Sequence, residues 1–293
     1  MPELPDVVVY CEALAERVGG QTLARVKLVS PFVLRTAVPP ISAAEGKRVR
    51  AVSRLGKRIV LAQDDDLFLV IHLMIAGRLR WLAPDAKPPV RITLALLEFA
   101  NGRVAFTEAG TKRRASLHLV QGDAALRAFD MGGLDVFAAD TAVFARRIMS
   151  ENHTLKRALT DPRLLSGIGN AYSDEILHRA RLSPLTLTSK LTGAEIGRLH
   201  AATRDVLGEW TERLRKEANG AFPEKVTAFR PGMAVHGRYG EPCPVCGSPV
   251  QRIVYAENEC NYCARCQTGG TVLADRALSR LLHKSFPRSL DDG

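Results

Sequence analysis

Four cysteines near the C-terminus constrain the fold of this chain more than any other feature. Cys243 and Cys246 form one C-x₂-C pair, and Cys263 and Cys266 form a second pair after 16 intervening residues. This spacing is typical of a four-thiolate zinc site, in which each pair occupies one turn and the insert forms a β-hairpin. Cys260 leaves an alternative open, because Cys260 and Cys263 are also separated by two residues.

Five of the six cysteines lie between residues 243 and 266. Such clustering indicates metal binding in a reducing compartment and argues against a disulfide framework. The sixth, Cys11, lies in an amphipathic helical pattern, where we expect a small buried apolar residue. We therefore predict one structural zinc ion.

The charge balance points to a polyanionic partner. The 293 residues carry a formal net charge of +10, which favours nucleic acid, with a solvated basic surface as the alternative. No apolar run approaches the ~20 residues of a membrane span, and the N-terminus lacks an apolar signal sequence. We expect a cytoplasmic, nucleoid-associated protein that is monomeric and does not contact membranes.

Hydrophobic periodicity divides the chain into regions. Val7, Cys11, Leu14 and Val18 recur at helical spacing, with Asp6 as the predicted N-cap. From residue 21 to about residue 119 the pattern is that of β-strands, with a hairpin at Asn101-Gly102. The predicted strands are 26–29, 32–34, 48–52, 58–62, 67–72, 77–82, 92–99 and 104–107.

Helical patterns follow from residue 123 to residue 217, and residues 218–233 resemble a mobile loop. These regions predict an α+β protein with a β-sandwich-like N-terminal domain and a leading helix (1–122). A helical domain (123–232), a zinc finger (233–270) and a C-terminal helical extension (271–293) follow.

The first residues carry candidate chemistry. Removal of Met1 would expose the secondary amine of Pro2, and an α-amino group titrates near ~7.7–8.0, well below a lysine. Such an amine is nucleophilic at neutral pH and needs no neighbouring base to deprotonate it. Attack on a sugar C1′ gives an iminium ion, which favours strand cleavage by elimination, and the adjacent Glu3 can protonate the ring oxygen. The alternative is that Pro2 and Pro5 only stiffen the helix start.

A second candidate site is the turn between two helical patterns at residues 165–170, Leu-Ser-Gly-Ile-Gly-Asn. A helix that begins after a glycine-containing turn presents backbone N–H groups to a phosphate. Any two helices joined by a glycine turn would show the same pattern. The turn therefore indicates a phosphate site only in combination with the other motifs.

The order of these motifs resembles the bacterial formamidopyrimidine-DNA glycosylase and endonuclease VIII family. Pro2-Glu3, the β-rich domain, Gly56-Lys57, the Gly167-Ile-Gly-Asn170 turn and the four-cysteine finger follow one another as in that family. The resemblance implies a helix-two-turn-helix domain and a bifunctional base-excision enzyme, a DNA glycosylase with AP lyase activity. Its expected partner is double-stranded DNA with damaged bases or abasic sites.

The resemblance also implies residue roles. Pro2 is the expected nucleophile, Glu3 the acid, and Lys57 the lysine near the lesion phosphate. Asn170 matches the asparagine that donates to phosphate, and Lys156 matches a basic residue upstream of it.

Three positions depart from the family pattern. The wedge inserted into the base stack, usually Met, is Ile75, with Met74 one place early. The other two void-filling positions, typically Arg and Phe, fall at Arg114 and Ala115, so that the aromatic residue is missing. Arg113 is a further candidate DNA contact. In the finger, Asn258 occupies the place of an arginine that reaches the lesion phosphate, and a neutral amide cannot make that charge-assisted contact. Arg252 and Arg265 are the available substitutes.

Two other functions compete with the enzyme. Asn258 favours a catalytically impaired family member that binds damaged or abasic DNA without chemistry. A zinc-ribbon protein that binds structured RNA is the third possibility, but it leaves the Pro2-Glu3 start unexplained.

Overall fold

The leading helix, α1 (Leu4–Val18), begins at Leu4 and not at Val7 as the periodicity predicts. Its N-cap is Glu3, and Asp6 is the third residue of the helix, with Oδ2 accepting the N–H of Glu3 at 2.9 Å. The prediction of Asp6 as N-cap is therefore wrong. Pro5 fits the first turn because the N–H it lacks would have no partner within the helix there.

The structure is a computed structural model that describes residues 1–110, 112–224, 226–255, 258–273 and 289, without the side chains of residues 255 and 258. Its contacts divide the chain into two units. The first contains residues 1–131 and 210–227, and the second contains residues 132–209 and 228–293. The boundaries of the four predicted domains stay a prediction.

The strands of the first unit are β1 (Arg25–Leu28), β2 (Val49–Leu55), β3 (Arg58–Gln63), β4 (Leu67–His72), β5 (Gly77–Leu82), β6 (Thr93–Phe99), β7 (Gly102–Glu108) and β8 (Ser116–Gln121). They form two four-stranded antiparallel sheets, in the orders β1-β6-β7-β5 and β2-β3-β4-β8. The predicted hairpin is present, because β6 and β7 pair with Phe99 opposite Gly102.

One apolar core joins both sheets and α1. Leu61 and Leu69 from one sheet, Phe106 from the other, and Tyr10 and Leu14 from α1 belong to the same buried cluster. Alternation along each strand produces this arrangement, since every second side chain points to the same face. The β-sandwich-like domain with a leading helix is thus confirmed.

One predicted strand, residues 32–34, is absent from this position. Pro31–Val33 forms a 3₁₀ turn, since Pro31 fixes its own backbone angle and cannot donate to a sheet. Val33 is buried and the half-buried Leu34 packs against the same core, while Phe32 is exposed.

Helices build most of the second unit: α3 (Thr141–Ile148), α4 (Leu155–Thr160), α5 (Asn170–Ala180) and the first part of α6 (Gly193–Ala218). A short helix, α2 (Asp123–Arg127), precedes them in the first unit. The finger consists of the antiparallel hairpin β9 (Val250–Tyr255) and β10 (Asn258–Cys263), followed by α7 (Ala264–Thr268). The predicted hairpin between the two cysteine pairs is therefore confirmed.

In the described part of the chain, no helix is long and apolar enough to cross a membrane. The predicted helix of the C-terminal extension, through Leu278, Leu281 and Leu282, lies outside the described residues.

Candidate active site

Pro2 and Glu3 lie buried at the N-terminal end of α1, and Glu3 is only 2% exposed. With Met1 attached, the amine of the chain belongs to Met1, one residue before the predicted nucleophile. Burial lowers the pKa of this ammonium group below its ordinary value of 8.0. Desolvation disfavours the charged form, so an amine in this position is more often neutral and nucleophilic than one in water.

Four charged side chains act on the same amine. After burial, the Glu3 carboxylate raises the pKa of the Met1 ammonium and the Arg78 guanidinium lowers it, while Asp6 raises it and Lys57 lowers it. The predicted acid, Glu3, and the predicted lysine, Lys57, are thus close enough to the N-terminal amine to interact with it electrostatically. Arg78 is a residue that the sequence did not single out.

Lys57 lies at the tip of a two-residue hairpin loop between β2 and β3. Leu55 and Arg58 pair across the strands, which leaves Gly56 and Lys57 as the loop. Gly56 has φ of 62°, a left-handed conformation that favours glycine. The Gly56-Lys57 motif is therefore a geometric requirement for presenting this lysine.

His72, at the end of β4, lies close enough to several cationic side chains for their charges to lower its pKa. Burial lowers its pKa to about 4, and the charges of Arg58, Lys57 and His118 act in the same direction. The imidazole is consequently neutral at neutral pH, and it adds no charge beside Lys57.

Ile75 is 57% exposed on a tight turn between β4 and β5. We refer to Leu73–Gly77 as the wedge turn. Its ends are joined by the Gly77 N–H, which donates to the Leu73 carbonyl at 2.8 Å, and Met74 adopts a left-handed φ of 53°. The turn presents an apolar side chain to solvent, as a residue that separates stacked bases requires.

A buried carboxylate shapes the loop that carries Arg113 and Arg114. Glu108 is 1% exposed, and its oxygens accept the backbone N–H groups of Arg114 at 3.0 Å and of Ala115 at 3.1 and 3.2 Å. Both arginine side chains are exposed, and the Arg113 guanidinium donates to the Arg91 carbonyl at 3.0 Å. The only sequence signal for Glu108 is an acidic residue at the end of an apolar strand.

In the second unit, Lys156 is held by three acceptors. Its ammonium group donates to the Asn170 carbonyl at 2.7 Å, to Ser173 Oγ at 2.7 Å and to Asp174 Oδ1 at 2.6 Å. The second oxygen of Asp174, a fully buried residue, contacts His236 Nδ1 at 2.8 Å. A lysine ammonium has three N–H donors, so this arrangement uses all of them.

Asn170 is the first residue of α5, after the N-cap Gly169. Its Nδ2 donates to the Glu259 carbonyl of β10 at 2.9 Å, and this bond uses one of the two amide hydrogens. A helix start favours a nearby anion, because the first-turn N–H groups and the helix dipole both point toward it. Lys156 and Asn170, both predicted, therefore meet at one helix start.

The four cysteines of the two C-x₂-C pairs converge. The sulfur atoms of Cys243, Cys246, Cys263 and Cys266 all lie within 4.8 Å of one another. Sγ–Sγ distances of 3.9 Å (Cys243–Cys266) and 3.4 Å (Cys246–Cys263) compare with about 3.8 Å for a tetrahedral zinc site with Zn–S bonds near ~2.3 Å. These residues fit a single structural zinc ion.

His178 of α5 borders this cluster, with Nε2 at 3.3 Å from Cys243 Sγ. Cys260 lies elsewhere, buried among Ile253, Tyr262 and Ala264, and burial raises the pKa of its thiol. Pairing of Cys260 with Cys263, the alternative left open by the spacing, is therefore wrong.

Asn258 begins β10, opposite Tyr255. Of the two possible substitutes for the finger arginine, Arg265 is exposed, and Arg252 lies over the Tyr239 ring at 4.2 Å with Glu259 at 3.7 Å. Arg252 is thus already engaged with a carboxylate and an aromatic ring.

The chain combines a β-sandwich with a leading helix, a helical unit, a four-cysteine finger and a net charge of +10. This combination is typical of a nucleic-acid-binding class of protein. Comparison with known families narrows this class. Family models match residues 1–115 (Formamidopyrimidine-DNA glycosylase N-terminal domain), 134–218 (Formamidopyrimidine-DNA glycosylase H2TH domain) and 240–269 (Zinc finger found in FPG and IleRS).

Two relatives are similar over nearly the whole chain. The formamidopyrimidine-DNA glycosylase of Thermus thermophilus is 36% identical over 283 residues, covering 92% of this chain and all of the relative. That of Chloroflexus aurantiacus is 34% identical over 278 residues, covering 91% and 98%. A solved complex of Lactococcus lactis Fpg with DNA containing an abasic site is 26% identical, with a TM-score of 0.80 over 91% of this chain and 99% of that one. The chain belongs to the formamidopyrimidine-DNA glycosylase family, whose members are base-excision-repair DNA glycosylases.

Proposed function

We propose that the protein is a bifunctional enzyme, a DNA glycosylase that also cleaves the strand as an AP lyase. The observation that carries the proposal is the buried N-terminal amine, whose pKa is lowered by burial and which lies within electrostatic range of Glu3 and Lys57. A protein that only binds DNA has no need for an amine and an acid side by side in a buried position.

The proposed reaction uses Pro2 after removal of Met1. The neutral Pro2 nitrogen attacks C1′ of the damaged nucleotide, the bond to the base breaks, and the base leaves with the bonding electron pair and a proton. Glu3 protonates the ring oxygen as the sugar opens, which leaves an iminium ion between Pro2 and C1′. Loss of a C2′ proton then expels the 3′ phosphate, and a second elimination expels the 5′ phosphate. In this proposal Lys57 acts on the lesion phosphate.

The proposed DNA contacts come from both units. Ile75 separates stacked bases, Arg113 and Arg114 contact the strand near the vacated position, and Asn170 donates to phosphate. For Lys156 the three bonds to the start of α5 support a role in fixing the phosphate-binding turn. The substrate is double-stranded DNA with damaged bases or abasic sites, and the protein acts as a monomer in the cytoplasm, at the nucleoid.

Borohydride trapping tests this chemistry. Met1-processed protein incubated with an abasic duplex and borohydride should form a covalent adduct, since the reductant converts the iminium to a stable amine. Pro2→Gly should diminish the adduct, and Glu3→Gln should alter its rate. Pro5→Gly is the matched control, because it makes the same substitution within the first turn of α1 without touching the nucleophile.

The second candidate is a non-enzymatic binder of damaged or abasic DNA, which Asn258 in place of a phosphate-binding arginine favours. Tight binding of the abasic duplex by the wild-type chain, without any trapped adduct, would establish the binder and exclude the enzyme.

A further inference from the structure

Phe32, in the 3₁₀ turn after β1, holds an aromatic ring in solvent on a fixed backbone. The ring is 81% exposed, whereas Val33 beside it is buried in the core. The turn is closed by the Leu34 N–H, which donates to the Pro31 carbonyl at 3.2 Å. One exposed apolar residue is common on a protein surface, so the position and the charge of its surroundings decide whether it contacts a partner.

The 3₁₀ turn lies at the same edge of its sheet as the wedge turn. The N–H groups of Val29 and Ser30, which follow β1, both donate to the Leu94 carbonyl at 2.9 Å, at the start of β6. At the end of β7, the Glu108 N–H donates to the Ile92 carbonyl at 2.8 Å. Because β6 is antiparallel to β1 and β7, and β7 is antiparallel to β5, the end of β1 and the start of β5 lie at one edge.

The chain segments that reach this edge are basic and contain no acidic residue. Residues 17–44 contain four Arg or Lys side chains and no Asp or Glu, and residues 109–122 contain three and none. Arg35 is exposed three residues after Phe32, and Arg113 is exposed in the segment after β7. An aromatic ring among cations is typical of a surface that binds nucleic acid.

The sheet sets the spacing between Phe32 and the wedge residue Ile75. β1 and β5 are the outer strands of their sheet and lie three strand spacings apart. At ~4.8 Å for each spacing, this is roughly 14 Å. Base pairs of a DNA duplex are stacked ~3.4 Å apart, so the two side chains address points about four base pairs from each other.

We propose that Phe32 is a second apolar DNA contact, which packs against the duplex about four base pairs from the step that Ile75 opens. This inference rests on the function proposed above, and it extends the DNA interface to one flank of the damaged nucleotide. The ring packs against sugars and base edges, while the cations around it attract the phosphates. Because every sequence presents sugars, the contact strengthens binding without selecting a base.

Binding to a duplex with a chemically reduced abasic site tests this contact apart from the chemistry, because a reduced sugar cannot form an iminium ion. Phe32→Ala should weaken binding about tenfold, since the contact area of the phenyl ring is lost. Phe32→Leu keeps part of the apolar area and should weaken binding about threefold. The slope of log K against log salt should equal that of the wild type for both variants, because neither removes a cation.

Val38→Ala is the matched control, because Val38 is 85% exposed but lies away from this edge. Leu34 forms a parallel bridge with Leu117 of β8, and two residues further along both chains the Leu119 N–H donates to Thr36 Oγ1 at 2.9 Å. The segment therefore runs along β8 away from the β8 start, which pairs with the end of β4 before the wedge turn. Loss of this valine should change binding less than twofold.

Shortened duplexes test the position of the contact. When one flank is reduced to two base pairs, Phe32→Ala and the wild type should bind equally, because the ring has no duplex to contact. When the other flank is shortened instead, the tenfold difference should remain. A misfolded variant would bind every duplex weakly. A difference that persists on both shortened duplexes, or disappears on both, would overturn the assigned position, and equal binding of the full duplex would overturn the contact itself.

Borohydride trapping separates this contact from the proposed chemistry, because it reports on the amine and not on Phe32. If the wild-type protein traps no abasic DNA, the enzyme proposal fails, whatever the shortened duplexes show. If trapping succeeds but Phe32→Ala binds the reduced abasic duplex as tightly as the wild type, the enzyme stands and the Phe32 contact is wrong.

Discussion

The N-terminal amine is the residue-scale feature on which the chemistry depends. In water an α-amino group titrates near ~8, and its protonated form cannot attack carbon. Burial lowers the pKa of the Met1 amine, and the next charge effect, from Glu3, opposes that decrease. Because Pro2 is also buried at this position, we expect the freed Pro2 amine to shift in the same direction.

The directions of these two pKa effects predict how borohydride trapping depends on pH. The rate of adduct formation on an abasic duplex should rise with pH as the amine loses its proton, with a midpoint below 8.0. Glu3→Gln should move the midpoint lower still, because it removes the carboxylate that favours the protonated form. It should also reduce the plateau rate about a hundredfold through loss of the acid.

Glu16→Gln is the matched control for this profile, since Glu16 is an exposed carboxylate on the same helix. Its midpoint should equal that of the wild type. A wild-type midpoint at or above 8.0 would show that burial does not activate the amine.

Sequence reasoning identified residues whose chemistry is local and missed those whose partners are distant. Pro2, Glu3 and Lys57 could be named because an amine, an acid and a glycine-led hairpin tip are visible in short motifs. Arg78 could not, because its acceptor Val226 lies 148 residues away. Glu108 could not, because a strand end does not predict which backbone N–H groups of the following loop its carboxylate accepts.

At the scale of elements, α5 organises the second unit. Its residues contact the finger and the segment before it: Asn170 reaches β10, Glu175 accepts the N–H groups of residues 234–236, and His178 reaches Cys243. Burial raises the pKa of Glu175, while the three N–H bonds act against this increase. The helix that carries the predicted phosphate site is therefore also the support of the zinc finger.

The contact between His178 and Cys243 predicts an effect on metal retention. An imidazole N–H that donates to a zinc-bound thiolate stabilises the bound form, and loss of such partners typically costs ~10–100-fold in metal affinity. His178→Phe should therefore release zinc about tenfold faster to a chromogenic chelator, while His178→Gln, which can still donate, should lie between.

His153→Phe serves as the control for this measurement, because His153 contacts Glu151 and not the cysteine cluster. Equal release rates for the wild type and His178→Phe would mean that the 3.3 Å contact does not stabilise the bound metal.

Hydrophobic periodicity predicted whether a segment is a helix or a strand more reliably than it predicted where the segment begins and ends. The β6–β7 and β9–β10 hairpins agree with prediction, since glycine turns and cysteine spacing fix both. The start of α1 was misplaced because Asp6, the predicted N-cap, is the third residue of the helix, where its carboxylate accepts the N–H of the actual N-cap Glu3. The burial of Phe222 and Val226 was not predictable, because a glycine- and proline-containing sequence says nothing about contacts with the core around α1.

At the scale of the whole molecule, the net charge of +10 favours binding to the DNA backbone. The finger holds one of the three positions at which the sequence departs from the family pattern. The departure is a missing cation at residue 258, the first residue of β10. Because Arg252 is engaged by Tyr239 and Glu259, it is a poor replacement unless it gives up both contacts. The chain should therefore bind with about one phosphate contact fewer than a member that has the arginine.

Asn258→Arg should restore that contact. Binding to an abasic duplex should strengthen, and the slope of log K against log salt should steepen by about 0.9, the value for one additional phosphate contact. Gln251→Arg adds the same charge elsewhere on the hairpin and should change the slope much less, because a distant charge acts only through the screened field. Equal slopes for the two variants would mean that residue 258 does not face a phosphate, and that the altered finger does not weaken DNA binding.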